Sequence, residues 1–192
     1  MKNKKFALAA LVGLFGMTGT ASAALPELGL SQKVPGDIYA GAQYQIISDD
    51  VVDLGSATLV AGYKHQLAPK IAVGPELKLG FGIGDDQVGS NQQVELDLSL
   101  NTMMSAGVRG EYQFNEKFKA FTSLTYANFD LEATLKDKVS GQSASASDDQ
   151  WEFGYGVGLS YEVVNNLDIV TSYETYASGD IDLLSIGLSY KL

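Results

Sequence analysis

The chain has 192 residues, of which 13 are basic, 23 are acidic and none is cysteine. A protein with this excess of acids repels phosphate backbones, so we expect no nucleic-acid partner. The lack of cysteine excludes disulfide bonds and metal sites with thiolate ligands.

The N-terminal residues predict a cleavable signal peptide over 1–23. A cationic start over 1–5 precedes an apolar run over 6–17, which is shorter than the roughly 20 residues that a membrane-spanning helix needs. Small residues at 21–23 provide the cleavage site. We therefore expect an exported protein in which 24–36 is a short periplasmic lead-in.

Apolar and polar residues alternate with a period of two over most of 37–192, as in β-strands that have one apolar face. No stretch after the signal peptide is long and apolar enough for a membrane-spanning helix. The alternation predicts strands at 37–48, 55–67, 71–83, 93–114, 118–135, 150–163, 167–177 and 181–192. This even number of consecutive strands predicts one all-β domain, an eight-stranded antiparallel up-and-down transmembrane β-barrel with meander topology.

The connections between the predicted strands are of two alternating kinds. Tight turns are expected at 67–70, 115–117 and 164–166, whereas connections rich in Asp, Gly and Ser, most of them longer, are expected at 49–54, 84–92, 136–149 and 178–180. Outer-membrane barrels have short periplasmic turns and longer extracellular loops. The pattern therefore predicts that the tight turns face the periplasm.

The predicted sixth strand indicates which face meets lipid. Trp151, Phe153 and Tyr155 share one face with further apolar residues, whereas Glu152 and the glycines share the other. A membrane barrel turns the apolar face to lipid, and a soluble exported barrel turns it inward around a cavity. We favour the membrane barrel, with an interfacial aromatic girdle formed by Tyr44, Tyr63, Tyr112, Trp151, Tyr161 and Tyr190.

The opposite face carries nearly balanced charge, which suits a narrow interior. An isolated buried charge is very costly, so each one needs a partner, and eight strands leave only enough room for side chains. We predict a structural network of charges in the lumen, formed by Lys64, Glu76, Lys78, Arg109, Glu111, Glu152, Glu162 and Glu174.

The predicted fourth and fifth strands exceed the roughly 9 to 11 residues that cross a bilayer. In the fourth strand, apolar residues from Val94 to Phe114 keep one phase, whereas in the fifth the phase changes before Phe129. A β-bulge near Ala127 or Asn128 explains that change. The pair is predicted to rise outside the membrane as a ribbon with an exposed edge, capped by a Ser-rich loop over 140–147.

Catalytic, cofactor and metal sites are not predicted. The single histidine, His65, is expected to face outward near the tight turns, and Ser56, a candidate partner, lies about nine residues away at the other end of its strand. The loop aspartates are interpreted as a solvated rim. The alternative is divalent cations that bridge these acids to lipopolysaccharide phosphates.

The C-terminal half resembles the small OmpX-type and opacity-protein barrels. The similar stretches are 153–159, 166–167, 172–174 and 187–190, with a looser similarity over 104–129. This resemblance implies a bacterial outer-membrane surface protein with a role in adhesion, invasion or resistance to host defences. Expected partners are membrane lipid, lipopolysaccharide, the barrel assembly machinery and an extracellular protein, and the alternatives are a narrow pore and, less favoured, a lipid-modifying enzyme.

Overall fold

A computed structural model describes residues 36–49, 53–90, 94–137, 139 and 142–192. The predicted signal peptide over 1–23, and the lead-in as far as residue 35, lie outside these described residues. Within them, no helix has the length and apolar character that a membrane-crossing helix requires.

The described residues form strands joined by short connections and one turn of 3-10 helix at Ala177–Gly179. The strands are β1 (Gly36–Ser48), β2 (Asp53–Ala68), β3 (Ile71–Ile83), β4 (Asp85–Ser90), β5 (Val94–Gln113), β6 (Phe118–Asp137), β7 (Ser143–Val164), β8 (Leu167–Tyr176) and β9 (Ile181–Lys191).

Eight of the strands close into a ring. Each of β1, β2, β3, β5, β6, β7, β8 and β9 pairs antiparallel with its neighbours, and β1 pairs with β9 to complete the circle. The predicted eight-stranded antiparallel barrel is thus confirmed. The short strand β4 pairs with β5 alone and stands outside the ring, within the predicted loop over 84–92.

The two ends of the barrel differ in their connections. At one end, here the short-turn end, the chain turns at 69–70, 114–117 and 165–166. At the other, here the long-loop end, β4 and the 3-10 turn lie between strands of the ring. The alternation predicted from the sequence is therefore present.

The two faces of the barrel wall have the polarity of a protein in hydrocarbon. Val157 and Ile186 on the outer face are 61% and 59% exposed, whereas Gln45 and Glu174 in the interior are 0% exposed. Water-soluble domains bury apolar residues and expose charged ones. An apolar surface that surrounds the whole barrel is stable only where an apolar medium, such as the hydrocarbon of a membrane, covers it.

Apolar side chains close the interior at the long-loop end. Phe129 and Tyr176 meet edge to face, with ring centroids 5.3 Å apart. We call this cluster the apolar plug; its buried members are Ile47, Leu54, Leu100, Met103, Ala127, Phe129, Tyr176 and Leu183. Leu98, Leu131 and Ile181 pack against it, so the mouth is filled rather than open.

The predicted bulge near Ala127 or Asn128 is wrong, because β6 pairs with both neighbours without interruption there. The irregularity lies in β5, where Leu100 pairs with Leu131 and the next paired residue is Thr102. The extra residue, Asn101, reverses the faces of β5. Apolar residues before it therefore turn into the plug, and those after it face outward.

Three strands of the ring, β5, β6 and β7, continue past it at the long-loop end, and β4 pairs with the extension of β5. The pairing of β7 with β8 begins only at Gly154, so the edge of β7 over 143–153 pairs with β6 on one side alone. The predicted loop over 136–149 is wrong for the most part, because β7 starts at Ser143. We call this extension the projecting sheet; it comprises 85–90, 94–100, 130–137 and 143–153.

Removing the central ring of the plug should destabilise the barrel. We expect Phe129→Ala to lower the free energy of unfolding by about 3 kcal/mol, because a large buried side chain leaves a cavity. Urea unfolding in lipid vesicles, followed by the fluorescence of Trp151, measures this change. Leu135→Ala, at a side chain that is 50% exposed, is the matched control, and an equal loss for both variants would contradict the plug.

Candidate functional site

Charged side chains fill the middle of the barrel as a connected network. Arg109 contacts Glu76 at 3.2 Å and Glu111 at 3.1 Å. Lys64 contacts Glu111 at 2.7 Å, and Tyr39 donates a hydrogen bond of 2.6 Å to Glu76. Each carboxylate here therefore faces a cation, as a buried charge requires.

A second group of contacts connects the network to the plug. Lys78 forms an ion pair with Glu174 and lies 3.7 Å from Glu76. Tyr176 donates a hydrogen bond of 2.7 Å to Glu174 and accepts one of 2.9 Å from Thr125. The tyrosine ring belongs to the plug and its hydroxyl to the network, so the two layers are continuous.

The interior is wetter near the short-turn end. Lys119 contacts Asp168 at 2.9 Å and Glu162 at 3.7 Å, with side chains that are partly accessible. A polar cavity of about 430 Å³ opens there, lined by Asp37, Lys64, Glu111, Lys119, Glu162 and Asp168 among others. Water thus reaches the network from this end, whereas the plug fills the other.

Of the lumen residues predicted from sequence, Glu152 takes no part in the ion pairs among the described residues and lies half-buried opposite Ala127. Sequence reasoning missed Tyr39 and Tyr176. Inward glycines were the available signal: a Cβ on Gly62 would lie 2.4 Å from the Tyr39 ring, and one on Gly154 would lie 2.3 Å from the Tyr176 ring.

The predicted girdle residues lie on the outer face at different heights. On β7, Trp151 and Tyr161 are 51% and 48% exposed and stand ten residues apart. At about 3.3 Å per residue and a tilt of roughly 40°, this separation corresponds to about 25 Å, the height of a membrane barrel's apolar band. Trp151 stacks on Tyr126, and the remaining predicted residues are Tyr44, Tyr63, Tyr112 and Tyr190.

The residues considered for catalysis do not converge. His65 pairs with Gly36 and Val73 near the short-turn end. Ser56 is buried and bonds to Thr58 at 3.2 Å, about 30 Å from His65 along β2. No group of three or more His, Cys, Asp or Glu residues suited to a metal ion occurs in the described part of the chain.

The projecting sheet has two unlike faces. Residues that pair directly across antiparallel strands share a face, and Leu96 pairs with Leu135, which in turn pairs with Ala144. The apolar face consists of Leu96, Leu98, Leu100, Leu131, Ala133, Leu135, Ala144 and Ala146, and Asp148, which pairs with Leu131, ends it on β7. The opposite face carries Asp97, Ser99, Glu132, Thr134, Lys136, Ser145 and Ser147. Lys136 lies 2.6 Å from Asp97 and forms an ion pair with it.

We expect Lys78→Met to lower the free energy of unfolding by about 3 to 5 kcal/mol, since it leaves Glu174 buried without its cation. Urea titration in lipid vesicles measures the change. The double variant Lys78→Met/Glu174→Gln removes the charge of both partners and should recover most of the loss. If the double variant were less stable than Lys78→Met, loss of the ion pair with Glu174 would not explain the lower stability of Lys78→Met.

The chain was compared with known proteins. No curated protein sequence matches it. The structure is similar to Ail, the attachment invasion locus protein of Yersinia pestis, with a TM-score of 0.52, 18% identity and coverage of 82% of this chain and 97% of Ail. It is also similar to a major outer membrane protein from Thermus thermophilus, with a TM-score of 0.52, 14% identity and coverage of 81% of this chain and 99% of that protein.

At these identities the solved structures show a shared fold. A second structure of Ail, in complex with the heparin analogue sucrose octasulfate, has a TM-score of 0.50 and 18% identity. The family model described as outer membrane protein beta-barrel domain matches residues 7–191. The apolar wall, the filled polar lumen and this match agree: the chain belongs to the outer-membrane β-barrel protein family and resides in the bacterial outer membrane.

Proposed function

We propose that this protein is a non-catalytic surface protein of the outer membrane that binds an extracellular partner through the projecting sheet. The observation that carries the proposal is the edge of β7 over 143–153, which pairs with β6 on one side only. The backbone groups along such an edge are available to an added strand. We also propose that lipid and lipopolysaccharide contact the outer wall of the barrel, and that the barrel assembly machinery inserts the protein into the membrane.

The outer part of this edge lacks the usual protection against pairing. Proteins guard a free edge with charged residues, proline or a short strand. From Ser143 to Ser147 the edge alternates serine and alanine, and its residues are exposed, whereas Asp148, Asp149 and Glu152 follow nearer the wall. An exposed, uncharged outer edge supports a role in binding.

The closed interior supports the same proposal by leaving little room for transport. Gln45 donates a hydrogen bond of 3.2 Å to Ser185 and accepts one of 2.7 Å from Thr58 between the network and the plug. With ion pairs below this layer and apolar side chains above it, the described residues leave little space for solutes to pass. The pore alternative therefore ranks below the binding role.

The charge of the long-loop end limits the kind of partner. Ail has been solved with a polyanionic heparin analogue. In this chain, residues 130–152 contain six acids and two lysines, so a polyanion is repelled in the absence of bridging cations. We do not extend the heparin-like ligand to this protein.

Selection of displayed peptides tests the binding role. The matched control is a shortened barrel in which 84–99 and 132–147 are each replaced by Asn-Gly, a dipeptide that favours tight hairpin turns. Both proteins are presented in phosphatidylcholine nanodiscs to a random peptide library. We expect peptides enriched on the intact protein alone, and an intact protein that enriches nothing beyond the shortened barrel would show the proposal to be wrong.

Planar-bilayer recording tests the closed lumen. We expect the intact protein to give no conductance above that of the empty bilayer, because the plug and the ion pairs fill the interior. Met103→Gly/Phe129→Gly, which removes two of the largest side chains of the plug, shows whether loosening that end raises the conductance. Steady single channels from the intact protein would favour the pore alternative.

A further inference from the structure

The net negative charge of the described residues lies at one end. These residues include 21 acids and eight bases. The described parts of 48–54, 84–100, 129–152 and 177–183, at the long-loop end, hold fourteen of these acids and one of the bases. The other described residues therefore carry seven of each sign and are neutral, so the excess of negative charge lies at the end where the projecting sheet stands.

An apolar surface lies within this acidic end. Leu98 and Leu131 pack on the plug, and the apolar face continues from them toward the tip. There Leu135 is 50% exposed, and the alanines beside it on β7 are exposed as well. Leucines turned to water beyond the membrane wall are costly unless a partner covers them.

The geometry of the free edge determines how a partner strand would meet these faces. Ala144 and Ala146 present only methyl groups beside the edge, which leaves room for larger side chains that reach Leu135. Alternate side chains of an added strand fall on opposite faces of the sheet. One set would therefore cover the apolar face, and the other would lie on the face that carries Glu132 and Asp149.

We propose, building on the proposed function, that the edge of β7 binds an extended cationic segment in which apolar residues alternate with lysine or arginine. The apolar set packs over Ala144, Ala146 and Leu135, while the basic set lies on the acidic face. Backbone hydrogen bonds to β7 provide affinity, and the two unlike faces provide specificity.

A second copy of this chain fits the edge less well. Pairing β7 with β7 would bring Asp148, Asp149 and Glu152 of two copies into one short sheet, and like charges across strands are destabilising. Each copy also carries the same excess of acids at this end. An oppositely charged strand meets neither obstacle.

The test uses a fluorescein-labelled ten-residue peptide of alternating valine and lysine, with the intact protein in phosphatidylcholine nanodiscs. Fluorescence anisotropy measures the dissociation constant, and empty nanodiscs give the lipid background. We expect Leu96→Ser/Leu135→Ser to weaken binding about tenfold, since it removes apolar area worth about 1.4 kcal/mol. Alternating valine–glutamate and serine–lysine peptides should bind at background level, and 0.5 M salt should weaken the valine–lysine complex.

Val139→Ser is the matched control, because Val139 is 77% exposed near the tip but outside the apolar face. It should bind the peptide as the unchanged protein does, and heat-modifiable gel mobility verifies that each variant is folded. Equal binding of the valine–glutamate peptide, equal binding by the shortened barrel, or no effect of Leu96→Ser/Leu135→Ser would overturn the inference. The peptide library gives a further test. If the peptides enriched on the intact protein alone lacked alternating apolar and basic residues, this inference would be wrong, whereas the proposed binding role would stand.

Discussion

Closure of the sheet between the first and last strands is the constraint on which the rest of the structure depends. Hydrocarbon offers no hydrogen-bond partner to a backbone N–H or C=O group, so a β-structure crosses a membrane only as a closed ring. The pairing of β1 with β9, from Tyr39 with Lys191 to Ser48 with Asp182, removes the last open edge. The strand edge of β7 becomes free only beyond Gly154, close to Trp151 on the outer face. The backbone is thus left open only where water can satisfy it.

Closure also determines what the interior must contain. Side chains that point inward are removed from bulk water, so charges such as Arg109 and Lys78 are held by carboxylates on neighbouring strands. Glycines beside Tyr39 and Tyr176 provide the space that these rings need. Toward the long-loop end the polar layer gives way to the plug. Its members come from β5 and β6, at the point where these strands enter the projecting sheet, and from β1, β2, β8 and β9 across the barrel. The plug therefore also fixes the base of the projecting sheet.

The period of two was enough to predict the ring, its two faces and most of its ion-pairing residues, because each is a local consequence of strand geometry. The outer part of β7 was not predicted, because Ser143 to Ser147 alternates only serine with alanine, which have weak strand preference, and its pairing with β6 makes it a strand. The bulge was misplaced for a related reason. Leu96, Leu98, Leu100 and Met104 all occupy even positions, so the sequence shows one phase, and only the register with β6 reveals the extra residue at Asn101.

The bulge at Asn101 lets one strand serve two environments. Below it, the even-numbered apolar residues of β5 face hydrocarbon, and above it the same parity faces the plug and the apolar face of the projecting sheet. Loss of this single codon would invert every side chain of the outer half of β5 while the membrane half kept its orientation. The membrane wall and the projecting sheet thus share one alternating sequence pattern, and in evolution each part can change without altering the orientation of the other.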